Sequence, residues 1–399
     1  MRILFVAMSN SIHTTRWIGQ IADQAWDLHI FPSIDFGDTH PELRNVTIYH
    51  SIYGKKKNEN NAVRLNGQPV FSNALAWAGR CIIKNLNPEY RRDQLIRLIE
   101  EIKPDIIHSL EFQNGGYLVL DAKREFLKRS KNNERFPTWI ATNWGSDIFL
   151  FGRRPDHKKK IQALLKECDY YSCECQRDIE LAKKFGFNGK YLPVIPNAGG
   201  FDLDSIKKTK IDTKTSDRRV ILLKGYQGWA GRALVGLDAI ALCADVLNDY
   251  EIEIFSCTSN EVKKKAKIIS KTTGIPILII PPVSHNDLLK LFGRARIYMG
   301  LSISDAISTS LLESMVMGSF PIQSDTSCAD EWIVNGKTGF IVPPEDAAMV
   351  ALKLKQAVQD DSLVNTATEI NSITVRERLN YGVIKERVIS EYEKIFSET

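Results

Sequence analysis

The segment around Asp305 and Glu313 combines residue types that could bind a phosphate and a sugar. The apolar run Ile297–Leu301 predicts a strand, and Ser308-Thr309-Ser310 predicts the start of a helix that ends at Gly318. The N–H groups of a helix's first turn have no partner within the helix, and hydroxyls add further donors, so a diphosphate suits this junction. Asp305 precedes the helix and Glu313 lies on its second turn, so they could bracket a ligand, one at a sugar and the other at a ribose. The same pattern also describes an ordinary helix N-terminus with a surface glutamate.

A glycine-spaced loop in the same half of the chain offers cations. Lys224-Gly225-Tyr226-Gln-Gly-Trp-Ala-Gly-Arg232 joins a predicted strand, Val220–Lys224, to a helix. Glycines at such a turn let backbone approach a phosphate closely, and Arg232 or Lys224 would meet its charge. The loop lacks the G-x-G-x-x-G spacing of dinucleotide-binding domains, which argues against a dehydrogenase.

The N-terminal half offers polar and aromatic side chains for a second ligand. Ser9, Asn10 and His13 follow the first predicted strand, and Trp144 and Asp147 follow a later one. His13 could orient a ligand or be a solvated or capping residue. Trp144 could stack on a sugar or fill the seam below Asp147. Asp147 fits a helix N-cap somewhat better than a carboxylate that contacts an acceptor.

A basic run, Arg153-Arg-Pro-Asp-His-Lys-Lys-Lys160, stands out in the N-terminal half. Basic runs of this kind are common on solvated helix faces, and that is the simpler interpretation. The alternative is contact with anionic lipid, where a lipid-linked acceptor would lie.

Two patterns that resemble metal sites are better explained without a metal. Asp202-Leu-Asp204 has the spacing of a metal-binding D-x-D pair, but it follows Asn197-Ala-Gly-Gly rather than a buried strand, and we interpret it as part of a linker. Cys168, Cys173 and Cys175 have no second ligand pair at zinc-like spacing, and buried cysteine is common. We therefore expect neither a metal nor a cofactor.

Length and composition limit the class of protein. A chain of 399 residues suggests two domains, each with its own core. The net charge of +5 is too weak to indicate nucleic acid, and seven scattered cysteines fit a reducing compartment rather than a disulfide framework. The first strand is too short for a secretory signal, and no apolar run of about 18 residues could span a bilayer. We expect a soluble cytoplasmic protein that is at most peripheral to a membrane.

Short apolar strands alternate with amphipathic helical segments along the chain, which is typical of parallel α/β sheets. The strands predicted in the first half are Ile3–Met8, Leu28–Phe31, Asp105–His108, Thr138–Thr142, Tyr170–Cys175 and Lys190–Ile195, with a helix at Glu89–Ile102. The polar stretch Ser205–Arg219 predicts a linker. Beyond it we predict strands Val220–Lys224, Ile252–Ser256, Pro276–Ile280, Ile297–Leu301 and Phe320–Gln323, a hairpin-like segment at 335–344, and helices Glu345–Gln359 and Thr374–Phe396.

The segment from Asp305 to Ile322 resembles the E-x7-E block of retaining glycosyltransferases of the GT-B fold, the family of sucrose synthase and many mannosyltransferases. In this chain the block reads Asp305-Ala-Ile-Ser-Thr-Ser-Leu-Leu-Glu313-Ser-Met-Val-Met-Gly-Ser-Phe-Pro-Ile. Four other segments resemble family segments in the same order: Lys103-Pro-Asp-Ile-Ile-His108, Trp144-Gly-Ser-Asp147-Ile, Pro193-Val-Ile-Pro-Asn, and Glu331-Trp-Ile-Val-Asn-Gly-Lys-Thr-Gly-Phe-Ile-Val. The resemblance is strong from Val194 to Ala357 and weak before it.

The resemblance implies two Rossmann-like doubly wound domains that face each other across a cleft. Residues 1–200 would form the acceptor-binding domain and residues 216–374 the nucleotide-sugar-binding domain, with a helix at 375–399 that crosses back onto the first. Glu313 would hold the ribose hydroxyls, and Asp305 with the backbone of Ile307, Ser308 and Thr309 would meet the donor sugar and diphosphate. No metal is implied.

Several departures from the family pattern bear on the substrate. The family's phosphate-binding Arg and Lys lie six residues apart, which puts Tyr226 at the Arg position and Arg232 at the Lys position when Gly225 is matched to the family's glycine. Lys224 is a candidate substitute for the missing cation. The first acid is Asp305 rather than Glu, and Trp144 stands where the family often has His.

The resemblance therefore implies transfer of a sugar from a nucleotide-diphospho-sugar to a glycan, lipid-linked or other hydroxyl acceptor, with retention of configuration, in bacterial surface polysaccharide or glycoconjugate synthesis. Arg232 and the helix N-terminus, with Lys224 as a further candidate, would stabilise the leaving diphosphate, while Asp305 and Asp147 complete the expected catalytic set. Two alternatives stay open: a nucleotide-sugar 2-epimerase of the same architecture, and a non-catalytic nucleotide-sugar-binding subunit. Product analysis distinguishes a transferase from an epimerase, because an epimerase converts the nucleotide sugar without an acceptor. Hydrolysis of the donor by the purified protein would argue against a non-catalytic subunit.

Overall fold

The computed structural model describes residues 1–54, 62–130, 134–209 and 212–399. The described residues divide into two compact units. Unit 1 comprises Met1–Gly199 and Val383–Thr399, and unit 2 comprises Gly200–Gly382. None of the described helices is long and apolar enough to cross a membrane.

The described part of unit 1 contains one sheet of eight parallel strands in the order β4-β3-β2-β1-β5-β6-β7-β8. Its strands are Arg2–Ala7 (β1), Asp27–Pro32 (β2), Val46–Gly54 (β3), Val63–Val70 (β4), Ile106–Leu110 (β5), Thr138–Thr142 (β6), Tyr170–Ser172 (β7) and Lys190–Tyr191 (β8). Its helices are Ile12–Gly19 (α1), Asn73–Leu86 (α2), Tyr90–Ile102 (α3), Tyr117–Arg129 (α4), Ser146–Phe149 (α5), Pro155–Glu167 (α6) and Gln176–Lys184 (α7), and most of the terminal helix, Tyr381–Glu398 (α15).

Strand β1 occupies the centre of this sheet because it is apolar on both faces. It pairs in parallel with β2 on one side and β5 on the other, and Ile3, Leu4, Phe5 and Val6 are completely buried. Such continuous apolar runs are typical of parallel strands covered by helices on both sides. The strand order reverses between β1 and β5, which is where open α/β sheets bind ligands.

The described part of unit 2 contains a six-stranded parallel sheet in the order β11-β10-β9-β12-β13-β14. Its strands are Val220–Lys224 (β9), Glu251–Phe255 (β10), Ile277–Ile279 (β11), Ala295–Gly300 (β12), Phe320–Ser324 (β13) and Phe340–Val342 (β14). The helices are Leu203–Thr209 (α8), Ala233–Leu242 (α9), Asn260–Thr273 (α10), His285–Arg294 (α11), Thr309–Met317 (α12), Ala347–Gln359 (α13) and Asp361–Arg378 (α14), followed by Tyr381–Glu398 (α15).

This strand order is the 3-2-1-4-5-6 order of dinucleotide-binding sheets, and it reverses between β9 and β12. The two loops singled out in the C-terminal half follow these two strands. The predicted two-domain GT-B fold is confirmed in its two parallel sheets with interleaved helices.

Most predicted strands coincide with observed ones, and Thr138–Thr142 and Val220–Lys224 do so at both ends. The predicted strands Tyr170–Cys175 and Lys190–Ile195 are shorter in the structure, ending at Ser172 and Tyr191. Pro193 lacks the N–H that a continuing ladder needs. Sequence analysis did not predict β3, β4 or α2.

Three other predictions were wrong in detail. The hairpin-like segment at 335–344 is a closed turn followed by the single strand β14, which pairs in parallel with β13. The turn closes by a bond from Gly336 N to Gly339 O of 2.8 Å. The terminal helix is interrupted, because α14 ends at Arg378 and α15 begins at Tyr381.

The third wrong prediction is the linker at Ser205–Arg219. In the structure this polar segment contains part of a helix and a buried arginine. Asp202 accepts a hydrogen bond from Ser205 N (3.1 Å) at the start of α8. Arg218 is buried, and its guanidinium donates to the carbonyl groups of Ala295 (3.2 Å) and Gly318 (2.8 Å). These hydrogen bonds offset the cost of burying the charge. Lys210 and Ile211 lie outside the described residues. A polar sequence can thus pack against a sheet when backbone carbonyls satisfy its charges.

Candidate active site

The loops after β9 and β12 lie against each other at the switch point of unit 2. Arg232 N donates to Leu301 O at 2.9 Å, and Ile303 N donates to Ala230 O at 2.9 Å. Gly231 and Ser302 form an antiparallel bridge between the loops. The structure therefore joins two segments that the sequence presented separately.

Two glycines make this close approach possible. A Cβ on Gly231 would lie 2.2 Å from Tyr226 O, and one on Gly225 would lie 2.7 Å from Cys257 Cβ. Both distances are too short for any side chain. These glycines let the loop fold on itself and on the end of β10, whereas the sequence suggested a role in approaching phosphate.

The N-terminus of α12 follows the loop after β12 and carries polar groups. Ser308 precedes the helix, and its buried hydroxyl does not cap it, so the first-turn N–H groups lack an acceptor within the helix. The hydroxyl of Ser302 is buried and makes no hydrogen bond to any described residue. Ile307 is buried and Thr309 is half-buried. Free donors at a helix N-terminus favour an anion there.

Glu313 is buried, so the alternative interpretation was wrong in expecting a surface glutamate, although Ser308 is the N-cap residue of α12 as that interpretation expects. Only 3% of the residue is exposed, and its Oε1 lies 2.8 Å from His285 Nε2. His285 is the first residue of α11, where Ser284 caps the helix by accepting from Asp287 N at 3.2 Å. Sequence analysis missed His285, although the Ser284-His-Asn-Asp287 start signal was readable. A buried carboxylate requires a partner of this kind.

Asp305 and Tyr226 lie close enough to interact electrostatically. Asp305 is half-buried, and its Oδ1 accepts from Ala306 N at 3.0 Å. Burial raises the pKa of the Tyr226 phenol, and the negative charge of Asp305 raises it further. The phenol therefore stays neutral and can donate a hydrogen bond at this edge of the sheet.

Arg232 is held by its own loop and by a carboxylate that the sequence did not indicate. Its Nε donates to Glu345 Oε1 at 2.8 Å, and its Nη1 donates to Gly231 O at 2.9 Å. The Glu345 side chain is 65% exposed, whereas that of Arg232 is 20% exposed. Lys224 ends β9 half-buried. A solvated carboxylate is an easily exchanged partner for a guanidinium.

In unit 1, the first loop is fixed by Ser9 and contributes His13. The Ser9 hydroxyl donates to Asp38 O (2.7 Å) and its carbonyl accepts from His40 N (2.9 Å), so this side chain holds a neighbouring loop. Asn10 is exposed. His13 lies in the first turn of α1, which Ser11 caps by accepting from His13 N at 3.2 Å.

His13 and Trp144 are neighbours although they are far apart in the sequence. Their ring centroids lie 5.4 Å apart with an interplanar angle of 51°. Trp144 is half-buried, so part of the indole is accessible. The pair forms an aromatic surface at the carboxyl edge of the sheet, and such surfaces stack on apolar ring faces.

Asp147 braces two loops instead of capping a helix. Gly145 is the N-cap of α5, and Asp147 is its second residue. The Asp147 carboxylate accepts from Trp144 N (2.8 Å) and from Phe112 N (3.0 Å), joining the loops after β6 and β5. Burial raises its pKa to about 7, although these two N–H groups act in the opposite direction. Both original interpretations missed this bracing role.

Glu111, which sequence analysis also missed, stands beside this carboxylate. It follows β5 with a φ of 77°, a conformation that costs energy for a residue other than glycine. Its carboxylate accepts from Asn114 N (2.9 Å) and Gly115 N (2.5 Å), and burial raises its pKa. The negative charge of Glu111 also contributes to the raised pKa of Asp147. Strained residues of this kind occur preferentially at functional sites.

Comparisons with known proteins agree with this geometry. Residues 237–372 match the family model described as glycosyl transferases group 1, and residues 83–173 match glycosyl transferase 4-like. The chain is similar in structure to sucrose-phosphate synthase from Thermosynechococcus elongatus, with a TM-score of 0.69, 12% identity and 100% of both chains covered. A glycosyltransferase from Rickettsia africae gives a TM-score of 0.68 at 16% identity, over 100% of this chain and 98% of the other. Anabaena HepE in complex with UDP gives 0.67 at 13% identity, over 99% and 100%. No curated protein matches in sequence.

The two sheets and the full-length structural matches define a two-domain α/β protein of the GT-B fold. Within that fold, the family match over α12 and its surroundings makes the protein a group 1 glycosyltransferase.

Proposed function

We propose that the enzyme transfers a sugar from a nucleotide-diphospho-sugar, bound by unit 2, to a hydroxyl acceptor that contacts unit 1. The observation that carries this proposal is the arrangement at the β9–β12 switch point. Buried Glu313, half-buried Asp305 and the polar N-terminus of α12 belong to one loop-and-helix segment. A ribose, a diphosphate and a sugar would occupy successive parts of that segment.

Each donor-side group has a defined task in this proposal. Glu313 accepts hydrogen bonds from the ribose hydroxyls, oriented by His285. The backbone N–H groups from Ile307 to Thr309, at the N-terminal end of α12, bind the diphosphate. Arg232 meets the charge that grows on the leaving phosphate, with Lys224 as a second cation, and preorganised charges of this kind lower a barrier without rearranging in the transition state. Asp305 and Tyr226 contact the sugar.

The chemical step is a substitution at the anomeric carbon. The bond from this carbon to the phosphate oxygen breaks, and the acceptor oxygen attacks from the same face, so the configuration is retained. The acceptor proton passes to the departing phosphate oxygen, which leaves as the nucleoside diphosphate. We further propose that no metal takes part, because cations and helix N–H groups meet the leaving charge.

The first donors to test are uridine diphosphate sugars. The titles of similar structures name HepE with UDP and with UDP-glucose, and an Escherichia coli trehalose-6-phosphate protein with UDP-2-fluoro glucose. On the acceptor side, the surface of His13 and Trp144 suits the apolar face of a sugar ring. A glycan or lipid-linked acceptor of bacterial surface polysaccharide synthesis fits this surface, with the enzyme in the cytoplasm.

The basic run at residues 153–160, most of which forms the first turns of α6, is proposed only as a secondary membrane contact. Arg153 lies 4.2 Å from the centroid of the Phe149 ring, and Lys160 lies 5.3 Å from that of Tyr117. These cations pack on aromatic rings of their own unit, which leaves fewer of them to meet lipid.

A nucleotide panel tests the donor half of the proposal. Ligand binding raises stability by RT ln(1 + [L]/Kd), about 2.7 kcal/mol at a hundredfold excess over Kd. A thermal shift with UDP or a UDP-sugar is the expected result, followed by release of the diphosphate in the presence of acceptor extracts. NMR of the glycosylated product then reports the anomeric configuration, and inversion would overturn the retaining mechanism.

A further inference from the structure

Helix α2 exposes an apolar surface among the described residues of unit 1. Five large apolar side chains from residues 71–86 are exposed to solvent. Their exposed fractions are 86% for Phe71, 57% for Leu75, 64% for Trp77, 58% for Ile82 and 81% for Leu86. Among the residues of the helix itself, Ala76 is the buried one. A group of large apolar side chains left exposed in this way marks an interaction site in a soluble domain.

The arrangement of these side chains is that of an interfacial helix. Leu75, Ile82 and Leu86 recur at i, i+7 and i+11, so they lie along one side of α2. Trp77 and Lys84 are also seven residues apart and lie along another side. The side between these two, which carries the buried Ala76, packs on β3 and β4. Exposed leucine, isoleucine and tryptophan side chains on a helix that also exposes lysine are typical of helices that lie in a membrane surface.

The positive charge of residues 62–88 favours an anionic partner for this surface. Residues 62–88 contain no Asp or Glu, whereas Arg64, Arg80 and Lys84 are cationic. Arg80 donates to the carbonyls of Ile52 (2.6 Å) and Phe36 (2.8 Å), which connects the half-exposed Phe36 to the same patch. A second copy of this chain would bring the same cations together with no carboxylate to pair them. Anionic lipid headgroups supply the missing negative charge.

We propose that α2, with Phe71 and Phe36, docks the enzyme on the surface of an anionic bilayer. The apolar side chains enter the headgroup boundary, and Lys84 remains at headgroup level. This inference goes beyond the proposed function, because docking requires no turnover and can be measured without knowing either substrate.

Vesicle flotation tests the proposal with matched variants. The wild-type protein is mixed with vesicles of phosphatidylcholine, or of phosphatidylcholine with one-third phosphatidylglycerol. We expect binding to the anionic vesicles, weakened by high salt, and much less binding to neutral ones. The variant Leu75→Ser/Leu86→Ser should lose roughly tenfold or more in vesicle affinity, since two side chains no longer enter the interface. Ile268→Ser on α10, a 62% exposed apolar residue, is the control and should bind normally.

The charge contribution is tested separately. Lys84→Gln should weaken binding about fivefold, the effect of one lysine near an anionic surface. Lys271→Gln, an exposed lysine in the last turn of α10, should have no effect. Nucleotide thermal shifts and melting temperatures of all variants should match the wild type, which shows that the fold and the donor site are intact.

Three results would overturn the proposal. One is failure of the wild type to bind anionic vesicles at low salt. Another is equal binding by wild type and Leu75→Ser/Leu86→Ser. The third is concentration-dependent dimerisation, without vesicle binding, that the double substitution abolishes, because α2 would then be an interface between copies. Wild-type protein that binds anionic vesicles but turns over no donor would leave membrane docking intact and count against the proposed function.

Discussion

Glu313 Oε1 and His285 Nε2 lie 2.8 Å apart, and the carboxylate is almost completely buried. The pair joins the N-terminus of α11 to the second turn of α12. Because a carboxylate buried in this way needs its partner, the two residues act as one unit in the donor site.

Removal of the carboxylate should weaken nucleotide binding. If Glu313 accepts bonds from the ribose hydroxyls, Glu313→Ala should reduce the affinity for a nucleoside diphosphate by about 1.5–3 kcal/mol, the range for hydrogen bonds to a charged group. Titration calorimetry measures this loss. Unchanged affinity would leave Glu313 with a purely structural role.

His285 should act through Glu313. His285→Ala leaves a buried carboxylate without this partner, so it should lower both the melting temperature and the nucleotide affinity. His285→Gln restores a donor and should recover part of both losses. Asn286→Ala, at the next and exposed position, is the control. If His285→Ala lowered stability but left affinity unchanged, the orienting role would be excluded.

Arg232 should affect turnover more than donor binding. Its proposed task is to meet charge that develops as the bond breaks, and loss of one such donor costs on the order of 10²–10³ in turnover. Arg232→Ala should fall in that range, and Arg232→Lys should recover part of the loss because it restores the charge without the fork geometry. Steady-state kinetics of diphosphate release measure both parameters.

Two further variants, Glu345→Gln and Lys224→Ala, test whether Arg232 itself is the cation that meets the phosphate. Glu345→Gln removes only its solvated partner, so turnover should stay within about threefold, as expected for an exposed ion pair. Near-normal turnover of Arg232→Ala together with complete loss in Lys224→Ala would show that Lys224 is the cation that serves the phosphate.

The stability of unit 1 should fall in mild acid because of His108. Its ring lies 2.6 Å from both Tyr392 Oη and Thr142 Oγ1, and burial lowers its pKa to about 3. An unfolded histidine has a pKa of about 6.5. Between these values the unfolded chain binds the proton and the folded chain does not, so stability is lost as the pH falls from about 6.5 towards 3, by up to about 1.4 kcal/mol per pH unit.

The variant His108→Gln isolates this effect. It removes the titrating group, so the unfolding free energy should depend less steeply on pH between 6.5 and 4.5. Asp147, whose pKa is raised to about 7, contributes with the opposite sign, but it is present in both proteins and cancels in their difference. Urea unfolding at several pH values gives the slopes, and parallel slopes would contradict the assignment.

The two sheets and the segment from Asp305 to Gly318 could be predicted because their signals are local. Continuous apolar runs give β9 and β12, and Ser308 and Gly318 mark the ends of α12. His285 and Glu345 could not be placed, since they reach Glu313 and Arg232 only through the packing of other helices. Helix α2 was not predicted, because its large apolar residues do not mark a buried side: Leu75, Trp77 and Ile82 are exposed.

The roles within unit 1 were the hardest to predict. Asp147 has a sequence context that favours an N-cap, but its carboxylate reaches the loop after β5, whose position depends on the sheet. The contact of His13 with Trp144 likewise follows from the neighbouring places of β1, β5 and β6 in the sheet. Spacing along the chain carries no information about such contacts.

The central claim is that this chain breaks a nucleotide-sugar bond without a metal, and release of nucleoside diphosphate from UDP- and GDP-sugars in excess EDTA tests it most directly. We expect release by the wild-type enzyme, increased by acceptor extract, and strongly reduced release by Glu313→Ala at limiting donor concentration. Activity that is lost in EDTA and restored by magnesium or manganese would contradict the metal-free mechanism. Conversion of the sugar with no diphosphate released and no acceptor needed would instead show an epimerase.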